Sequence, residues 1–164
     1  MLERDIIQLV NNVADIVHSQ IDQYDGFSNK NMGDSFLMIW KMIDLEESFD
    51  GDIDEEIVDN SAVADLSILG VYKVYAKLNS YNHIWAYNDR EEIKANMPGY
   101  KFSTGWGLHM GWSVEGAIGS QWKIDPTYLS PAVNVAHKLT MATPYYNVPV
   151  IISSDLHDCL SEEF

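Results

Sequence analysis

An α+β domain is the fold class this sequence predicts, and three observations predict it. Residues 2–23 and 61–80 repeat apolar side chains at three- and four-residue spacing, the period of an amphipathic helix. Short apolar or glycine-bounded runs at 27–30, 35–41, 102–110, 113–118 and 148–152 have strand character. In chain order, helices alternate with hairpins.

The first helix is expected to bury Ile6, Val10, Val13, Val17 and Ile21 and to end at Gly26. Two short strands follow, Phe27 to Lys30 and Ser35 to Lys41, joined by a tight turn containing Gly33. The second holds the unbroken apolar run Phe36-Leu37-Met38-Ile39-Trp40, as a strand covered on both faces requires. Residues 44–60 are an acidic loop insertion. Its Asp50-Gly51-Asp52-Ile53-Asp54 portion hints at a calcium loop, but Glu55 stands where such a loop needs glycine and Ser61 where it needs a bidentate glutamate. A solvated loop is the expectation.

Residues 61–80 are expected to bury Val63, Leu66, Leu69, Val71, Val74 and Leu78. An irregular aromatic connection, 81–100, closes on Pro98-Gly99. Pro131 to Leu139 reads as a helix with proline in its first turn. Val148 to Ile152 reads as a strand, and Ser153 caps a short helix through Leu160.

The 164 residues suit one domain. A net charge of -15 disfavours nucleic acid and anionic membrane surfaces as partners, because both need positive potential. An anionic ligand would need local cations or a metal. Cys159 stands alone, so an internal disulfide and a thiolate metal cluster are both excluded. The start of the chain lacks the basic and apolar regions of a signal peptide, and no apolar run approaches the roughly 20 residues that span a bilayer. The expected setting is cytoplasmic, whether as the cytosolic domain of a membrane protein or within a cytoskeletal or other larger assembly.

Lys30 and Asp34 around a glycine turn mean little alone, since both are ordinary turn-flanking residues. Four segments read together mean more. Asn29-Lys30-Asn31-Met32-Gly33-Asp34-Ser35-Phe36 resembles the hairpin motif of class III adenylyl and guanylyl cyclases. Gly107-Leu108-His109-Met110-Gly111, followed by Glu115-Gly116-Ala117-Ile118-Gly119-Ser120, resembles that family's glycine-punctuated second hairpin. Lys123 to Leu139 is similar to its dimer arm running into an asparagine-bearing helix, and Val150-Ile151-Ile152-Ser153 to the strand that comes next.

The resemblance implies a ferredoxin-like fold, lacking the family's first strand and closing hairpin, in a homo- or heterodimer with sites at the interface. It implies an adenylyl enzyme, ATP to cyclic AMP and pyrophosphate, with GTP the less favoured substrate. Carried over by position, Asp34 is a metal aspartate for Mg²⁺ or Mn²⁺, a two-metal site following only if a second aspartate comes from outside this chain. Lys30 and Thr127 are base-reading positions, and Asn134, seven residues after Thr127, positions the ribose. Lys138, four residues after Asn134, stands where the family has a transition-state arginine; it keeps the charge but loses the planar fork. The family's opening strand, with its first metal aspartate, and its closing hairpin, with a triphosphate lysine, have no counterpart. An excerpt of a longer polypeptide, inactive in isolation, is the expected explanation. A catalytically silent homology domain serving dimerisation or scaffolding is the alternative.

His109 is expected to be a packed strand histidine. Trp106, Trp112, Trp122 and Tyr128 are expected to be core and interface aromatics, since no basic residues are interleaved among them.

Overall fold

The computed structural model describes residues 2–42 and 60–164. The acidic loop and the calcium-loop hint therefore lie almost wholly outside the described residues.

Helix α1 spans Leu2–Gln23 and helix α2 spans Ser61–Ser80. They cross against each other through Val13, Val17 and Ile21 on one side and Ala64, Ile68, Val71, Val74 and Leu78 on the other. Each methylene buried here contributes about 0.8 kcal/mol to holding the two helices together. The predicted helix spans are borne out, but two of the predicted faces are corrected. Ile6 is 51% exposed, because among the described residues none packs over the first turns of α1 to cover it. In α2 the buried stripe is Ala64, Ser67, Ile68, Val71, Val74 and Leu78, leaving Leu69 exposed and Val63 and Leu66 half-buried. Leu69 belongs to the helical period, but a small residue, Ala64, marks where α1 approaches closely.

The hairpin of strands β1 (Phe27–Met32) and β2 (Ser35–Ile39) follows α1. Gly33 takes φ +70° at the first turn position, the pattern of a tight two-residue hairpin turn that glycine adopts without strain. The ladder is not regular. Ser28 faces Met38 and Lys30 faces Leu37, so Asn29 is an extra residue in a β-bulge. Trp40 beyond β2 donates its Nε1–H to the Tyr24 carbonyl at 2.8 Å, fastening the hairpin to the end of α1.

The connection after α2 is more ordered than expected: helix α3 (Asn82–Trp85), a 3-10 turn (Ala86–Asp89) and helix α4 (Glu91–Asn96). Ile84 on α3 and Ile93 on α4 are the buried residues of this segment. Strand β3 is only Trp106–Leu108 and pairs in parallel with β6 (Val150–Ile152). Strands β4 (Val114–Ser120) and β5 (Lys123–Leu129) form a separate antiparallel hairpin. The glycine-rich segments 107–111 and 115–120 are thus not one hairpin: the first joins β6, and the second pairs with β5. Gly107 has a packing role, since a Cβ there would collide with the Ala136 carbonyl and the Thr140 amide of the next helix.

That helix, α5, runs Pro131–Tyr146, longer than predicted. Ser130 caps it by accepting from the Ala132 amide at 2.9 Å, and Asn147 ends it in the left-handed conformation at φ 54°. Helix α6 (Ser154–His157) is capped by Ser153, as expected. Among the described residues the strands form three separate pairs, β1-β2, β3-β6 and β4-β5. Helices and small sheets together give the α+β class. No described helix is long and apolar enough to cross a membrane.

Candidate functional site

Two ion pairs tie the β4–β5 hairpin to β1 and to the segment just after β2. Lys30 Nζ lies 3.0 Å from Asp125 Oδ2, with the lysine three-quarters covered. Lys41 and Glu115 form the other at 2.5 Å, more exposed. The Lys41 ammonium is held above its ordinary value and the Glu115 carboxyl below its own, in each case chiefly by the hydrogen bond between them.

A cleft of about 480 Å³ lies between the hairpins, with Phe27, Asn29, Glu115, Ala117, Thr127 and Tyr128 in its wall. Phe27 and Tyr128 face each other with ring centroids 6.0 Å apart, and Lys41 sits 5.8 Å over the Phe27 ring. Burial pushes the Tyr128 phenol up, and the Glu115 carboxylate beside it pushes the same way. Lys30 and Asp125 adjoin this cleft through their chain neighbours Asn29 and Pro126.

The expected site residues fall into three groups. Lys30 and Thr127 come to one place, the margin and wall of this cleft. Asp34 is exposed in the turn between β1 and β2, where its Oδ1 accepts from the Ser35 hydroxyl at 3.4 Å. Asn134 and Lys138 are exposed one helical turn apart on α5. A divalent ion needs several hard oxygen donors. No group of three or more His, Cys, Asp or Glu that could hold an ion occurs among the described residues. Asp34 alone does not fit a complete metal site.

Asp125 was not anticipated from the sequence. A signal existed: it stands two residues before Thr127 on a strand, where that spacing puts side chains on one face. Lys41 and Glu115 carried no comparable signal. His109 is packed as expected, its Nδ1 2.8 Å from the Ser153 hydroxyl. Trp106 packs on the core, while Trp112 and Trp122 are 70% and 86% exposed on the β4–β5 hairpin and its approach.

Set against solved structures, this arrangement is a class III nucleotidyl cyclase fold. Two structures of a bacterial light-regulated adenylyl cyclase match with TM-scores of 0.67 and 0.68 at 24% and 23% identity, covering 94% and 96% of this chain and 38% and 39% of theirs. A guanylyl cyclase structure matches with a TM-score of 0.55 at 15% identity, over 98% of this chain and 68% of that one. In sequence, the chain is 23% identical over 153 residues to an adenylate cyclase of Anabaena cylindrica, covering 93% of this chain. It spans 26% of that relative's length. No protein-family model matches.

Proposed function

We propose that this chain is an adenylyl-type cyclase domain that works in a dimer, converting ATP to cyclic AMP and pyrophosphate. The observation that carries this reading is the Lys30–Asp125 bridge beside Thr127. Adenine offers a ring nitrogen that accepts and an exocyclic amine that donates. Lys30, held in place by Asp125, donates to the ring nitrogen, and the Thr127 hydroxyl accepts from the amine. Asn134 orients the ribose so that its hydroxyl attacks the α-phosphorus in line, and Lys138 neutralises charge that develops on the phosphate oxygens. Asp34 is one arm of a metal site whose other donors come from outside the described residues.

The exposed apolar residues of the β4–β5 hairpin, among them Ile118, Trp122, Ile124 and Leu129, support dimerisation through this arm. The same surface suits the second reading, a silent homology domain that only dimerises. Lys138 in place of the family's arginine favours that reading.

Mixing the chain with a cyclase domain that bears both metal aspartates decides between them. Cyclic AMP formation that Lys30→Glu abolishes, or redirects toward GTP, supports the enzyme. No product with any competent partner, and no Mg²⁺-dependent binding of an ATP analogue by calorimetry, leaves the scaffold.

A further inference from the structure

We propose that Asn29 is a specificity-determining residue of the same cleft, its side-chain oxygen accepting one hydrogen bond from the exocyclic amine of a 6-aminopurine while Thr127 accepts the other. The proposal rests on the reading of the cleft as a purine site.

Three observations converge on Asn29. Its Oδ1 is fully buried and has no hydrogen-bond partner among the described residues. Asn29 is also a residue of the cleft wall. Buried polar atoms are almost always paired, so an unpaired one on a residue of that wall marks a place prepared for a polar ligand. Third, Asn29 is the bulged residue of β1. Regular strand alternation would send Asn29 and Lys30 to opposite faces of the hairpin. The extra residue breaks that alternation and re-aims the pair, so that Lys30 reaches Asp125 on β5 while Asn29 lines the cleft against the same hairpin.

The chemistry selects the ligand edge. An unpaired carbonyl-type oxygen wants an N–H donor. Adenine carries an amine at its 6-position, where guanine carries an oxygen that Asn29 Oδ1 would repel. Asn29 and Tyr128 are each adjacent in sequence to a base-reading position, Lys30 and Thr127. The four residues thus form two consecutive pairs on facing strands. Phe27, in the same wall and tilted against Tyr128, supplies an apolar ring surface for the base.

The test is equilibrium binding to the full chain of ATP and of purine riboside triphosphate, which lacks the 6-amino group. The wild-type chain is expected to prefer ATP by about tenfold or more, the worth of the amine's hydrogen bonds to Asn29 and Thr127. Asn29→Ala is expected to lower ATP affinity several-fold, shrinking the ratio to what Thr127 alone sustains, with purine riboside triphosphate unaffected. Asn29→Asp, which keeps an acceptor and discards the amide donor, is expected to hold the preference, with circular dichroism reporting the fold of each variant. If Asn29→Ala weakens both nucleotides equally or neither, or if folded Asn29→Asp loses the preference, Asn29 does not read the base and the purine site itself stands. If the chain binds no purine nucleotide, both readings fall together.

Discussion

Lys30 on β1 reaches Asp125 on β5, 95 residues away, with 3.0 Å between ammonium and carboxylate. The contact fixes the direction of a long, flexible side chain that would otherwise sample many rotamers, and it does so at the margin of the cleft. Positioning rather than stability is its consequence, because a half-exposed ion pair contributes at most about 1 kcal/mol.

Asp125→Asn is therefore expected to leave the melting temperature within a few degrees of wild type. ATP affinity should fall several-fold, because the freed lysine must be ordered when the base binds. Calorimetric titration paired with a thermal melt measures both. A large loss of stability with unchanged binding would show that the bridge is structural.

The Lys41–Glu115 pair predicts a pH window. Glu115 is held below its ordinary value, so its contribution is present above the ordinary carboxylate range and is lost as pH falls through the depressed value. Lys41 is held above its ordinary value, so its contribution is present below the ordinary ammonium value and is lost as pH rises through the raised one. Between those limits β4–β5 is held to the segment after β2. Protection of the β4–β5 amides against hydrogen exchange, corrected for the intrinsic pH dependence of exchange, should fall at both extremes, and Lys41→Met should remove both limbs of that profile.

Ile21 is fully buried at the α1–α2 seam, whereas Ile6 on the same helix is half exposed. Ile21→Ala is expected to cost about 3 kcal/mol through lost transfer energy and a residual cavity. Ile6→Ser should change stability by less than about 0.5 kcal/mol. Urea denaturation of the two variants tests the asymmetry. Equal effects would mean that another surface covers the start of α1.

Two glycines should respond oppositely to alanine. At Gly107 the added methyl meets the backbone of α5, and the strand or the helix must move, at a cost of about 2 kcal/mol or more. At Gly116 it meets open space, and a small gain of about 0.5 kcal/mol is expected from the stiffer unfolded chain. Chemical denaturation of both variants reads the difference directly.

Lys138→Arg should leave folding untouched, since the residue is exposed on α5. In a mixture with a metal-competent partner it should raise cyclic AMP turnover by about tenfold or more, because the guanidinium can bridge two phosphate oxygens where an ammonium reaches one. Unchanged turnover would place Lys138 outside the reaction.

The amino-acid sequence by itself determined the helices at 2–23 and 61–80, the Gly33 turn, the Ser130-Pro131 and Ser153 helix starts, and the family resemblance. All of these rest on spacing within a few residues, where helical period, turn conformation and capping act. Only the tertiary structure decided that β3 pairs with β6, that Leu69 faces outward while Ala64 faces α1, and that the segment after α2 coils into short helices around Ile84 and Ile93. It also decided which residues surround the candidate site. Lys30 and Thr127 were legible through motif position, but Asp125, Lys41 and Glu115 acquire meaning only when two hairpins distant in sequence meet. Asn29 stands in the wall of the cleft at a bulge that no local preference announces. Such contacts depend on register and on long-range packing, which local residue preferences do not encode.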